Sequence, residues 1–287
     1  MGNHLIQGTE EWLQMRRKFI GASDAPIVMG VSPWRTPFQL WQEKLGMAPA
    51  QEETAAMRRG TELEPKARAA FEAETGIDVF PQVVFHPEHK FMMASMDGLS
   101  LDGQVAVEIK CTSSKYHEMA LAGEVPEHYI PQLQHQLACL GIPMLYYFSF
   151  DGYNGAVVEV KRDDCYIETL IKEESGFWKC IKSKTAPELT DKDYVEREDD
   201  SWLCYAKRLR DIDAELKTLK EKREQLREGL IGLADGQSTR GGGLTLSKSF
   251  PPGRVDYSKV PELEGVDLEP YRKEPRETWR LTCTHSS

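Results

Sequence analysis

Between Tyr205 and Leu233 the apolar residues fall on one seam. Tyr205, Leu209, Ile212, Leu216, Leu219, Leu226, Leu230 and Leu233 follow one another at alternating three- and four-residue steps, with Arg223 at the one seam position that is not apolar. A repeat of this period is the heptad signature of an α-helix that buries a narrow stripe. At ~1.5 Å per residue, roughly 30 residues make a helix of roughly 45 Å. The seam therefore sets the organisation of the chain. A highly charged helical region runs over about 187–233, a mixed region precedes it, and a Gly- and Pro-rich region follows from Ala234. Two readings of the helix stay open: packing along its own domain, or a coiled-coil contact with another chain or a helical hairpin partner.

Ahead of the seam the pattern changes every few residues. Thr9 can cap a short helix through Trp12 and Leu13. The loop Gly21-Ala22-Ser23-Asp24-Ala25-Pro26 enters another helix, which Ser23 or Asp24 can cap. Pro37 opens a third, and the run from Thr61 to Glu72 has high helix propensity and stops at Thr75-Gly76. Short β-type runs follow at 78–80, 83–85 and 91–95, and Gln104-Val105-Ala106-Val107-Glu108-Ile109-Lys110 alternates as a strand. Residues 131–140 are expected to be helical, and 145–150 to be a buried strand paired with 156–160 across a turn. The fold class is α/β, a mixed sheet flanked by helices. The expected boundaries are 1–186 for this core and 187–287 for a helical arm with a small β element. In the tail, 244–250 and 277–282 alternate like strands and are expected to pair antiparallel with each other.

Composition narrows the classes. No stretch approaches the ~18 uninterrupted apolar residues of a membrane helix, and MGNHLIQGTEEWLQMRRKF lacks the apolar segment of a secretory signal, so a soluble cytoplasmic protein with no membrane role is expected. Six cysteines are scattered without a CxxC pair, which reads as reduced thiols and disfavours zinc or iron–sulfur sites. A net charge of −10 argues against non-specific coating of nucleic acid, yet leaves room for a local basic groove.

The stretch that carries chemistry is Ser95-Met96-Asp97-Gly98-Leu99 followed by Glu108-Ile109-Lys110. Asp97 reads as an exposed loop residue just after a short strand. Glu108 and Lys110 share one face of the next strand, because side chains alternate with period two. If the two strands are neighbours in a hairpin, Asp97, Glu108 and Lys110 converge at one end of the sheet. Two carboxylates beside an ammonium suit a hard divalent cation that polarises a phosphate and activates a water. A solvated strand edge is the plainer origin of an alternating Glu and Lys. Against it stand the apolar opposite face of Val105, Val107 and Ile109, the setting of Asp97 before Gly98, and a third carboxylate, Glu64, on an upstream helix. Elsewhere, His86-Pro87-Glu88-His89 reads as a turn, His135 as a packed helix residue, and Trp12, Trp34 and Trp41 mostly as core anchors, with one open to bordering a DNA channel. His117 and His128 follow the Glu-Ile-Lys strand, and contact with DNA is open to them.

Asp97…Glu108-Ile109-Lys110 resembles the PD-(D/E)XK nuclease motif. The flanking text narrows the resemblance to the phage lambda-exonuclease-like, YqaJ-type viral recombinase nucleases. The segments that carry it are Ile20-Gly21-Ala22-Ser23-Asp24-Ala25-Pro26, Arg59-Gly60-Thr61-Glu62-Leu63-Glu64-Pro65, Ser95-Met96-Asp97-Gly98-Leu99, Glu108-Ile109-Lys110-Cys111 and Tyr129-Ile130-Pro131-Gln132-Leu133-Gln134-His135-Gln136. Together they cover about residues 8–180 in the family's order, with Met96 where the family often has proline. The resemblance implies a restriction-endonuclease-like core, to which the residues beyond it add the C-terminal long helix and a small β-hairpin. It implies that Glu64, Asp97, Glu108 and the Ile109 carbonyl bind Mg²⁺ or Mn²⁺, and that Lys110 orients or activates the attacking water. Gln132 would support that lysine or the metal-bound phosphate, although Gln134 and Gln136 compete for the assignment. Arg16 and Ser23 match positions that contact a terminal 5′-phosphate; a solvated helix charge beside Arg17 and Lys18 is the other reading of Arg16.

The implied activity is a metal-dependent 5′→3′ exonuclease that degrades linear double-stranded DNA from its ends and exposes 3′ single strands for phage-type recombination. A homo-oligomer is implied, a trimeric ring around duplex DNA, working beside a single-strand annealing protein in a phage or bacterial setting. An endonuclease or resection nuclease of the same superfamily is one alternative. A catalytically idle DNA-binding or assembly module, with the heptad helix as its working part, is another. The arm is expected to contact DNA or a neighbouring subunit through Lys248, Arg254 or Arg280, or else to clasp the core.

Overall fold

The computed structural model describes residues 14–48, 54–111, 114–249 and 266, and divides the chain into two units, Met1–Tyr194 and Val195–Ser287. In chain order the first unit holds β1 (Ile20–Gly21), α1 (Ala25–Val28), α2 (Pro37–Lys44), α3 (Ala55–Thr75), β2 (Phe80–Phe85), β3 (Met92–Leu99), β4 (Ala106–Lys110), α4 (Ser114–Leu121), α5 (Ile130–Leu140), β5 (Met144–Phe150), β6 (Gly155–Lys161) and α6 (Asp164–Ser183). No helix among the described residues is long and apolar enough to cross a membrane.

Strand β3 organises this unit because both of its edges are used. β2 runs antiparallel along one edge, with Phe85 opposite Met93 and Phe80 opposite Leu99. The other edge is shared. β1 pairs with it in parallel at Met92 and Met93, and β4 pairs antiparallel at Gly98 and Leu99. β1 and β4 therefore run toward each other along one edge, and their C-terminal ends face across the middle of β3. β4 then carries the sheet onward through a parallel pairing with β5, whose antiparallel partner is β6.

Helices cover both faces, as the alternating strands require. On one face α3 lays Ala67 and Phe71 against Val107, Ile109, Phe148 and Phe150. Thr54 caps that helix by accepting the Met57 N–H, and Gly76, at φ +71°, ends it. Phe71 packs on Tyr146 and Phe148 with ring centroids 5.7 and 5.5 Å apart, and truncating it would cost about 3–5 kcal/mol. On the other face α5 and α6 cover Met92, Ala94 and Met96 through Leu133, Leu137 and Ile167. α2, capped by Thr36 and Gln39 around Pro37, docks on α6, where the Trp41 Nε1–H donates to the Cys180 carbonyl at 3.1 Å.

Three expectations change here. The runs at 78–80 and 83–85 give one strand, β2, rather than two. Its register on β3 shifts between Phe80 and Gln82, so Asp97 and Gly98 together oppose the single residue Pro81. This is a β-bulge, and it places Asp97 inside a buried strand instead of in an exposed loop after one. Finally, neither Ser23 nor Asp24 caps α1 with its side chain. The Asp24 carboxylate accepts the Gly21 N–H at 2.9 Å and so closes the 3-10 turn Ala22–Asp24.

In the second unit, Asp199 caps a single helix, α7 (Asp200–Leu233), by accepting the Trp202 N–H. β7 (Thr239–Gly241) and β8 (Leu244–Leu246) follow as a hairpin across Gly242-Gly243, both at positive φ (+56° and +78°) as a two-residue turn of primed type needs. The strand at 244–246 thus has its partner just upstream, at 239–241. The partner expected for it, 277–282, lies outside the described residues, as do Thr9, Trp12, Arg254 and Arg280.

Candidate active site

The β3–β4 ladder stops at the pair Gly98 and Val107. Beyond it the bulged Asp97 takes over, and its carboxylate accepts the Ile109 N–H at 2.8 Å. One residue further back on β4, Glu108 is buried and holds three donors. Lys110 Nζ lies 2.6 Å from its Oε1, Gln132 Nε2 donates to the same oxygen, and Gln136 Nε2 donates to Oε2. Gln132 and Gln136 stand one turn apart on α5, so one helix face clamps both carboxylate oxygens. Lys110 also sits over the Tyr129 ring, 5.2 Å from its centroid. From the opposite face α3 supplies Glu64, paired at 2.5 Å with Arg68, four residues on. Arg68 Nε donates to the Asp97 carbonyl at 2.8 Å and so ties the helix to the bulge.

The electrostatics follow from this crowding. Burial pushes the Asp97 carboxyl well above the ordinary aspartate range, Glu108 adds to the rise, and Lys110 offsets part of it. Burial likewise raises Glu64, against the pull of Arg68. For Lys110 burial opposes the charge, but Glu108 and Asp97 outweigh it and the ammonium is held up. The neighbouring Cys111 thiol is pushed up to about 11 by burial and by Glu64 and Asp97, which leaves it a poor nucleophile at neutral pH.

Arg16 and Ser23 come together at the end of β1. Arg16 Nη2 donates to Ser23 Oγ at 2.6 Å and lies 3.2 Å from Asp24 Oδ1. Beneath them Asp24 forms a buried ion pair with Lys44 at 2.5 Å, and Lys44 also donates to the Arg16 and Phe19 carbonyls. Burial would raise the Asp24 carboxyl, but Lys44 and Arg16 overcome it and hold it below its usual range. Because β1 and β4 share an edge of β3, this turn faces the Glu108–Lys110 end of β4, and it packs on α5.

Gln136, named above only as a rival to Gln132, joins the site beside it, and Arg68 and Tyr129 join without having been singled out. Gln136 and Arg68 carried a local signal, since each stands four residues after Gln132 or Glu64 on the same helix face. Lys44 carried none. Trp41 is buried, but Trp34 is 63% exposed and is no core anchor; it packs edge-on against His128. His117 is buried, with Nδ1 3.0 Å from Ser149 Oγ, so it does not face outward. His135 is a core residue between Glu174 and the Met93 carbonyl. His86 accepts the Glu88 and His89 N–H groups and closes a turn.

Among the described residues, no three His, Cys, Asp or Glu side chains form a ready ligand cluster. Each of the three carboxylates is engaged by a donor instead: Arg68 on Glu64, the amides on Glu108, the Ile109 N–H on Asp97. The set is nonetheless all oxygen, three carboxylates and a backbone carbonyl, which fits a hard cation better than zinc. Burial and neighbouring carboxylates disfavour ionisation of Asp97 and Glu64, and a cation beside them would favour it.

Residues 11–143 match the YqaJ-like viral recombinase domain. The chain is 37% identical over 175 residues to the uncharacterized protein YqaJ of Bacillus subtilis, across 59% of this chain and 55% of that protein. It therefore spans about half the length of that curated relative. Among solved structures, an alkaline exonuclease from Laribacter hongkongensis, LHK-Exo, is similar with a TM-score of 0.54 and 34% identity, over 61% of this chain and 94% of that one. LHK-Exo in complex with dAMP gives 0.55 and 33%, with the same coverage.

Proposed function

The chain belongs to the YqaJ-like viral recombinase family of the PD-(D/E)XK superfamily, and on that premise we propose that it is a divalent-metal-dependent deoxyribonuclease, a 5′→3′ exonuclease that digests linear duplex DNA and exposes 3′ single strands. One observation carries the reading. The buried Asp97–Glu108–Lys110 cluster and the Arg16–Ser23 pair lie along the same edge of β3, so a group for chemistry and a group for a chain end face each other. That LHK-Exo is known with dAMP supports a site of nucleotide size here.

Glu64, Asp97, Glu108 and the Ile109 carbonyl would hold Mg²⁺ or Mn²⁺. When bound, the ion supplies Lewis-acid polarisation of the phosphate and a water of lowered pKa. The residues themselves do the rest. Lys110, kept charged by Glu108 and Asp97, donates to the attacking water and offsets phosphate charge. Gln132 and Gln136 fix the Glu108 carboxylate, acting on the reaction through its position. Arg16 offers a planar fork of donors and Ser23 a hydroxyl, the pair suited to a terminal 5′-phosphate. Family resemblance extends the proposal to a trimeric ring around duplex DNA and to a single-strand annealing partner.

The test is incubation with Mg²⁺ on linear 5′-phosphorylated, linear 5′-hydroxyl and closed-circular DNA. Loss of the linear substrates alone is expected. Arg16→Ala should lower the preference for a 5′-phosphate roughly tenfold, the size of one charge-assisted hydrogen bond. Circular DNA cut as fast as linear DNA would favour an endonuclease, and no cutting at all the idle module.

A further inference from the structure

No residue of α7 is buried, and on its seam Leu216, Leu219 and Leu226 are 46, 59 and 72% exposed. A helix of 34 residues, about 51 Å long, is stabilised in water chiefly by packing of such a stripe. We propose that α7 pairs with α7 of a second copy of this chain, as an antiparallel two-stranded coiled coil centred between Leu216 and Leu219. The inference is independent of the nuclease reading.

Charge decides both occupant and direction. The heptad places Leu209, Leu216, Arg223 and Leu230 at a, with Ile212, Leu219 and Leu226 at d. The flanking e positions are then Asp213, Lys220 and Arg227, and the g positions Arg208, Glu215 and Lys222. A parallel pair stacks a on a, which buries Arg223 against its own copy, and sets Lys222 against Arg227. An antiparallel pair stacks a on d. Centred as proposed, it packs the Arg223 stem on Ile212 of the second copy, beside Asp213 of that copy. Glu215 then faces Lys222 of the second copy and Asp213 faces its Lys220; two-fold symmetry makes each pair twice, with no like charges opposed. Sliding by one heptad in one direction sets Lys222 on Lys222 and Lys220 on Lys220. Sliding in the other sets Glu215 on Glu215. The satisfied register is also the one that overlaps the helices almost end to end, with Trp202 across from Leu233.

Glu215 and Lys222 have no opposite charge three or four residues away on their own helix, and Glu215 has Asp211 at i−4. Swapping their charges therefore probes the pairing rather than the single helix. The full chain and its variants would be compared by sedimentation equilibrium. The wild type should have twice the mass of Leu216→Lys. Glu215→Lys and Lys222→Glu should each weaken association, on the order of tenfold for a pair reversed twice over, and the double variant should restore it. Equal mass in wild type and Leu216→Lys overturns the proposal, whether the stripe is then covered by this chain's own residues or by another protein. Tighter association in Lys222→Glu alone overturns it too, because that is the parallel pair's result, and so does no rescue in the double variant, which would mean that residues 215 and 222 do not face each other.

Discussion

In the first unit Glu108 is buried with three donors on its two oxygens, and Asp24 is buried between Lys44 and Arg16. Along α7, leucines at seam positions stay in water while Glu, Lys and Arg surround them. The same physics points to function from opposite directions. Burying a charge costs several kcal/mol unless partners surround it, so a buried cluster of carboxylates and an ammonium marks chemistry. Leaving a long apolar stripe exposed forgoes about 25 cal/mol for each Å² left uncovered, so such a stripe marks recognition. One unit is organised around what it has taken in, the other around what it has not yet covered.

The comparison breaks first at the buried cluster. Asp97→Ala, Glu108→Ala and Lys110→Ala should each reduce cleavage by roughly a thousandfold or more, since each removes several kcal/mol of transition-state stabilisation. Asp97→Ala and Lys110→Ala should stay folded, and Lys110→Ala should still bind DNA in Ca²⁺. Glu108→Ala should also melt earlier, because it leaves Gln132 and Gln136 as buried donors without an acceptor, at about 1–3 kcal/mol each. Leu226→Ala on α7 should leave hydrolysis near wild type. Near-normal turnover by any of the three cluster variants would remove the assignment of the site.

A smaller effect belongs to Gly98. A Cβ there would lie 2.6 Å from Val79 Cγ2 and 2.7 Å from Val107 Cγ1, both on packed strand-side residues. Gly98→Ala should destabilise by about 1–3 kcal/mol through overpacking. It should also lower the cleavage rate, because the bulge that aims Asp97 includes this residue. Melting temperature and rate are measured together, and an unchanged value of both would show that the bulge is not constrained as described.

Gly98 also shows where sequence reading runs out. Glu108 and Lys110 on one strand face were legible, because alternation is a property of five consecutive residues. Asp97 was legible as a candidate ligand but not as a buried strand residue, because the bulge belongs to a pair of strands and exists only when Pro81 opposes two residues. β1 has two residues, Ile20 and Gly21, too few for any periodicity, yet it carries Ser23 to the site. Asp24 and Lys44 are twenty residues apart, with nothing local to connect them. The hairpin was legible in its second strand and not in its first. Gly242-Gly243 is a turn signal in its own right, but Thr239-Arg240-Gly241 has little strand character, so a more distant partner was expected for the run 244–250.

The smallest predicted effect sets one methyl group against another. Gly229 lies inside α7, and a Cβ there would meet nothing within 4 Å. A helix-interior glycine costs about 1 kcal/mol relative to alanine, chiefly in backbone freedom lost on folding. Gly229→Ala should therefore stabilise α7 by up to about 1 kcal/mol, where Gly98→Ala destabilises the first unit. Position 229 is a g site whose counterpart in the proposed antiparallel pair is Arg208, a long side chain that can move aside. Amide hydrogen exchange along α7 reads the change residue by residue and separates it from the melting of the first unit. Slower exchange around residue 229 is the expected result. Faster exchange would mean that the added Cβ meets a neighbour there, and the contrast between a filled unit and an open helix would fail at that position.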